Sequence, residues 1–260
     1  MNSRENREEN LAAAERLVGE LADNGAELVM LPEHFNFLGP DHLKRDHAET
    51  VDGSPSLERM RTLAQKFGVY VHIGSLFEMD GDSIYNTGIV FDSSGEIIAK
   101  YRKIHLFDVE IPGGKKYLES EIVSAGSELV TFRVGEFVFG MATCYDLRFP
   151  ELFRLLVKKR ANVLLVPAAF TVETGRDHWQ LLLRARAVEN QCWVAAAGQW
   201  GQFMEGRESF GRSMVVDPWG VVVAQATDGV RAILAELDME TVSAVRTSFP
   251  CLAHARPDLH

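Results

Sequence analysis

The chain has 260 residues, 46% of them apolar and 25% charged, enough to bury the core of one large α/β domain. A formal charge of −10 argues against a nucleic-acid binder, and the one short basic run, Lys158-Lys159-Arg160, reads as the carbonyl end of a solvated helix. Three widely spaced cysteines, Cys144, Cys192 and Cys251, with no CxxC pair, argue against a disulfide framework or a structural zinc site and point to a reducing, cytoplasmic setting.

The polar start MNSRENREEN lacks the apolar stretch of a leader, and no apolar run is long enough to span a bilayer. Residues 8–23 carry Leu11, Leu17, Val18 and Leu21 at helical spacing and predict a helix closed near Asn24-Gly25. ELVML (27–31) predicts a strand stopped by Pro32. A helix over 56–67, capped by Gly68, leads into a strand over 69–76. Residues 84–100 predict a hairpin around Asp92-Ser93-Ser94-Gly95, and a second turns at Gly135. A helix over 149–159, a strand over 163–167, a helix over 177–190 and a strand over 193–199 follow. A hairpin around Asp217-Pro218-Trp219-Gly220, a strand over 232–237 and a helix over 239–246 complete the pattern. Mixing βα units with hairpins predicts mixed sheets facing each other under outer helices, in one domain over 1–260. Residues 247–260 read either as a surface tail or as an arm onto a partner subunit.

Three residues carry chemistry. Glu33 lies in VMLPEHF, Lys103 in KYRKIHLFD and Cys144 in FGMATCYDLRFPE. A carboxylate can take a thiol proton, the thiolate can attack a carbonyl, and an ammonium can stabilise the oxyanion. Cys144 is placed between a strand and the helix PELFRLLVKK, where backbone N–H groups gather and a helix N-terminus lowers a thiol pKa. Taken alone, it also reads as a small buried hydrophobe.

In that order, PEHF, YRKIHLFD and CYDLRFPEL resemble the nitrilase superfamily of carbon–nitrogen hydrolases. The likeness extends to PAAFTVETGRDHWQLLLRARAVENQ (167–191) and SMVVDPWG (213–220). The resemblance implies a four-layer αββα sandwich and a Glu–Lys–Cys triad at Glu33, Lys103 and Cys144. It also implies that the Tyr145 N–H joins Lys103 at the oxyanion, with no metal or organic cofactor. Glu119 in KYLESE resembles the family's second glutamate, expected to position Lys103 or meet the substrate amide; it also reads as a solvated loop carboxylate. His34 and His105 are read as orienting loops or satisfying the core.

Tyr145-Asp146 after the cysteine, HLFDVEIPG (105–113), ETGRDHW (173–179) and RPDL (256–259) resemble the omega-amidase and deaminated-glutathione amidase branch. That implies a small amide carrying a carboxylate, and a homodimer or higher homo-oligomer, with neither nucleic acid nor membrane as partner. The branch calls for a pocket cation, and Arg148 is the candidate; a salt bridge to Asp146 or Glu151 is the competing reading. Asn86, Phe170 and Thr171 are candidates for the pocket wall. Another amide class, carbamoyl-amine or aliphatic, and a non-catalytic interaction protein on the same fold stand as alternatives. Family members begin with a strand before the first helix, and Met1-Asn2-Ser3 resembles its end. The expectation is a missing parallel strand beside ELVML, leaving an unpaired edge or groove and a poorly soluble chain that a longer one would rescue.

Overall fold

A computed structural model describes residues 1–111 and 115–256. Helix α1 (Arg7–Asp23) begins where the Asn6 side chain accepts the N–H groups of Glu8 and Glu9. It leads to β1 (Leu28–Met30). Helix α2 (Pro55–Phe67) is capped by the Ser54 hydroxyl and closed by Gly68 in the left-handed conformation. Then come β2 (Tyr70–His72), β3 (Leu76–Asp80), β4 (Ser83–Phe91) and β5 (Ile97–Arg102). The first sheet runs β1-β2-β4-β3 with β5 on the other side of β4, and only the β1–β2 pair is parallel.

A two-stranded ribbon, β6 (Asp108–Ile111) and β7 (Lys115–Leu118), separates that sheet from β8 (Thr131–Val134) and β9 (Phe137–Met141). A 3₁₀ turn over Cys144–Arg148 precedes α3 (Pro150–Lys158) and β10 (Val163–Ala168). A short turn α4 (Val172–Thr174) and a π-helical stretch over Gly175–Trp179 enter α5 (Gln180–Asn190), followed by β11 (Trp193–Gly198). A second ribbon, β12 (Trp200–Met204) with β13 (Arg207–Phe210), precedes β14 (Met214–Val216), β15 (Val222–Gln225) and α6 (Met239–Ser248). The second sheet runs β15-β14-β11-β10-β9-β8.

Alternation along the strands builds the layers. On β10, Val163 and Leu165 face the other sheet with Val90, Tyr101 and Met141. Leu164 and Val166 pack outward with Leu152, Phe153, Leu156 and Leu183 of α3 and α5. On the first sheet, Val29, Val71, Ile73 and Phe91 pack against Leu11, Val18, Met60 and Leu63 of α1 and α2. The order is helix, sheet, sheet, helix, as the resemblance implied. Each fully buried Leu, Val or Phe contributes about 1.5–3 kcal/mol over leaving it in water.

Two expectations are corrected. The run 69–76 is not one strand: it breaks at Gly74, whose φ of 73° belongs to the left-handed region. Residues 232–237 enter no ladder among the described residues. Instead they wall a groove of about 730 Å³ with Leu28, Met30, Val163, Leu165 and Met214. Among the described residues, no strand lies beside the far edge of β1, and Met1 lines the same groove with its amine held down to about 6 by burial and then by Arg16. The expected groove beside ELVML is therefore present. Of the tail, Phe249 lies against Trp219 with centroids 6.3 Å apart, and residues 257–260 lie outside the described residues, as do Pro112 and Gly113 of HLFDVEIPG.

Candidate active site

Glu33 sits just past β1, on a turn that Gly74 holds in place. The Glu33 turn is pinned by His34 N–H donating to Ser75 Oγ at 3.1 Å and Phe35 N–H to the Ser75 carbonyl at 3.1 Å. A Cβ on Gly74 would stand 1.9 Å from the Pro32 carbonyl oxygen, so only glycine allows this approach. Lys103 follows the end of β5, its N–H donating to the Asn86 carbonyl at 2.9 Å and its own carbonyl accepting from Gly126 at 2.8 Å. Glu119 opens a 3₁₀ turn after β7. Cys144 opens the turn after β9 with φ 48°, a left-handed conformation uncommon for a residue with a side chain. The Asp146 carboxylate accepts the Thr143 N–H at 2.8 Å, the Tyr101 hydroxyl at 2.6 Å and the His105 N–H at 3.0 Å, which fixes the loop.

The four side chains converge. Lys103 Nζ lies 3.1 Å from Glu33 Oε1 and 2.8 Å from Glu119 Oε2, with all three groups buried. Glu33 Oε2 accepts the Ala169 N–H at 2.8 Å, and the Cys144 thiol lies beside the same carboxyl at the cavity. Burial pushes the Glu33 carboxyl up, but Lys103, His34, the thiol and Ala169 together outweigh it and hold it down at about 2. For Lys103, burial favours the neutral amine, yet the two glutamates raise its pKa well above the ordinary lysine range. The resting pair is therefore carboxylate and ammonium.

Cys144 departs from the sequence-based expectation. Burial, then the Glu33 charge, pushes its thiol well above the ordinary range despite Lys103. The turn it opens is five residues long and does not offset an adjacent carboxylate. The group at rest is a neutral thiol beside the Glu33 carboxylate.

Other sequence-predicted residues fall differently. Asn86 is fully buried and not at the cavity wall; its Nδ2 bridges Glu33 Oε1 at 2.8 Å and Glu119 Oε1 at 3.2 Å. Phe170 is buried against Trp179, also behind the wall. Arg148 neither lines the cavity nor pairs with Asp146 or Glu151. It lies over the Phe170 ring at 5.2 Å, with Nη1 3.3 Å from His178 Nδ1. The reason is register: four residues past Cys144, the 3₁₀ turn carries it toward the π-helical stretch. Thr171 does line the cavity, and Tyr145 directly follows Cys144, its ring against Phe107.

The cavity, about 90 Å³, is lined by Glu33, Lys103, Glu119 and Cys144 with residues the sequence did not single out for it. Lys44 comes from the loop before α2, Phe107 and Tyr117 from around the first ribbon, and Phe203 and Arg207 from the second. The buried His34 ring stacks on Phe77 at 4.5 Å, and burial holds its pKa down at about 4. Glu33, His34 and Glu119 have ligand atoms within 4.8 Å of one another, but the Lys103 ammonium already engages both carboxylates. A buried base, an oriented thiol and a buried cation around one cavity can open an acyl bond by way of a thioester.

The carbon–nitrogen hydrolase family model matches residues 1–247. The deaminated glutathione amidase of a Synechocystis strain is 42% identical over 259 residues, covering 98% of this chain and 95% of that protein. The crystal structure of the Caenorhabditis elegans NitFhit protein superposes with a TM-score of 0.90 at 39% identity, over 100% of this chain and 64% of that longer one. An amidase from Nesterenkonia, 26% identical with a TM-score of 0.80 over 97% of this chain and 96% of that one, was crystallised with acrylamide added to its active-site cysteine.

Proposed function

Because this chain belongs to the carbon–nitrogen hydrolase family, we propose that it is an amidase using Cys144 on a small carboxylate-bearing amide of the deaminated-glutathione type. The observation that carries this reading is the buried Glu33–Lys103–Glu119 cluster with the Cys144 thiol beside Glu33 at one cavity. Deaminated glutathione is a 2-oxo acid joined through its far carboxyl to cysteinylglycine.

When the amide enters, Glu33 takes the thiol proton as sulfur attacks the carbonyl carbon. Negative charge moves to the carbonyl oxygen, where the Lys103 ammonium and the Tyr145 N–H donate to it. The protonated Glu33 returns its proton to the leaving nitrogen, the C–N bond breaks, and a thioester remains on Cys144. Water then gives a proton to Glu33, adds to the thioester carbon and releases the acid, the thiol recovering its proton from Glu33. Such base assistance is worth about 10²–10⁴-fold. Asn86 and Glu119 hold Glu33 and Lys103 in place. The base needs no pKa rise at rest, because the thiol proton moves as the oxyanion forms beside Lys103.

We also place the chain in the cytoplasm as a homodimer. All three cysteines are free, which fits a reducing compartment, and no helix among the described residues is long and apolar enough to cross a membrane. Exposed Val188, Trp219 and Phe249 gather around Gly220, a patch a second copy would cover. The test of function is release of cysteinylglycine from deaminated glutathione, and of ammonia from a 2-oxo acid ω-amide, with glutamine as the control. Turnover of the oxo-amides but not glutamine is the expected result. No hydrolysis of either oxo-amide by folded protein would reject this substrate class.

A further inference from the structure

Three cations line the active-site cavity: Lys44, Lys103 and Arg207. Lys103 is held between Glu33 and Glu119, and Lys44 Nζ is 2.8 Å from Asp41 Oδ1. Among the described residues, no carboxylate lies within ion-pair distance of Arg207. Its guanidinium lies on the Tyr117 ring, 4.5 Å from the centroid, and Nη2 donates at 3.4 Å to the Lys116 carbonyl. Arg207 thus ties the second ribbon to the first, and stacking fixes the plane of the guanidinium while leaving most of its five donors unused. The ribbon is anchored at its other end, where the Phe210 N–H donates to the Phe170 carbonyl at 2.8 Å, two residues past β10.

A cavity of about 90 Å³ accepts the scissile amide and little more, so the rest of a tripeptide-sized substrate must extend past its half-exposed rim. Cys144 and Lys103 are buried, whereas Arg207 is half-buried at that rim and Glu208, next to it, is exposed to solvent that screens its charge. We propose that Arg207, fixed on Tyr117, is the specificity-determining residue that takes the glycyl carboxylate of the leaving group. This rests on the amidase reading above and assigns an end of the substrate to a residue outside the catalytic cluster. A planar guanidinium meets a carboxylate through two parallel N–H bonds, which a flexible ammonium cannot reproduce.

The test is steady-state kinetics on deaminated glutathione and on the same compound with the glycyl carboxylate converted to a carboxamide. Wild-type enzyme is expected to prefer the acid. Arg207→Gln is expected to raise KM for the acid at least tenfold, hold kcat within about threefold, and leave KM for the carboxamide unchanged; Arg207→Lys is expected to recover only part of the loss. Turnover of the carboxamide by Arg207→Gln reports that the variant is folded. Equal changes in KM for both compounds, or no change for either, would overturn the assignment while leaving the amidase reading intact. Failure of wild-type enzyme on both compounds would instead overturn that reading, and the assignment with it.

Discussion

Lys103 Nζ stands 3.1 Å from Glu33 Oε1, both groups 2% exposed, 70 residues apart in the chain. Two charges placed so deeply persist only because each satisfies the other, with Glu119, Asn86 and Ala169 filling the remaining hydrogen-bond sites. Lys103→Met removes the cation and leaves two carboxylates facing each other. The expected result is a loss in kcat of at least about 10²-fold and a stability loss of about 3–5 kcal/mol by chemical denaturation. An unchanged kcat would assign oxyanion stabilisation to another donor.

Gly74 makes a prediction about positioning rather than chemistry. Gly74→Ala forces a Cβ against the Pro32 carbonyl at a backbone conformation alanine resists, so the Glu33 turn must move. A fall in kcat together with a lower Tm is expected, although the glycine touches no substrate. Wild-type activity in this variant would show that the Glu33 turn is not held from this side.

Stability should fall on mild acidification because of two buried histidines. Burial holds His34 and His72 down at about 4, against about 6.5 for the free side chain. Between those values the unfolded chain binds protons that the folded chain refuses, so stability declines as pH drops from about 6.5 to 4. Each site contributes on the order of 3 kcal/mol to that decline. Glu33 and Glu78, held down at about 2, act in the other window: their stabilisation is complete above about 4.5 and is lost as pH falls toward 2. Denaturation of His72→Gln at pH 7 and pH 5 should show a shallower dependence than wild type; an identical dependence would contradict the assignment.

The groove beside β1 predicts a split in amide exchange. Leu31 N–H donates to the His72 carbonyl and Tyr70 N–H to the Glu27 carbonyl, so alternation turns the Leu28 and Met30 N–H groups toward the groove. Those two amides should exchange far faster than Val29 and Leu31. Equal protection of all four would mean the edge is covered.

The candidate site was legible where the chain carries distinctive phrases. VMLPEHF, KYRKIHLFD and CYDLRFPE carried Glu33, Lys103 and Cys144, and KYLESE carried Glu119. The layers were legible because β10 and its neighbours alternate between two apolar environments. The two ribbons that frame the cavity mouth were not read, because strands β6, β7, β12 and β13 are short and belong to neither main sheet. Their apolar periodicity is correspondingly weak, and nothing in the sequence marks Arg207 as lining the cavity. Arg148 is near Cys144 in sequence, but the 3₁₀ turn does not convert that into nearness to the cavity. The run 69–76 looked continuous because its apolar residues hide one left-handed glycine. Residues 232–237 have strand-like composition but, among the described residues, no edge paired to them, and composition alone makes no ladder.

The central claim is a thioester on Cys144. Wild-type protein mixed with deaminated glutathione, quenched in acid within the first turnovers and digested for mass spectrometry, should carry the 2-oxo acyl group on the peptide containing Cys144. Cys144→Ala should be folded, inactive and unlabelled, and Cys192→Ser and Cys251→Ser should label and turn over as wild type does. Retained turnover in Cys144→Ala, or an acyl group on Cys192 or Cys251, would contradict the account.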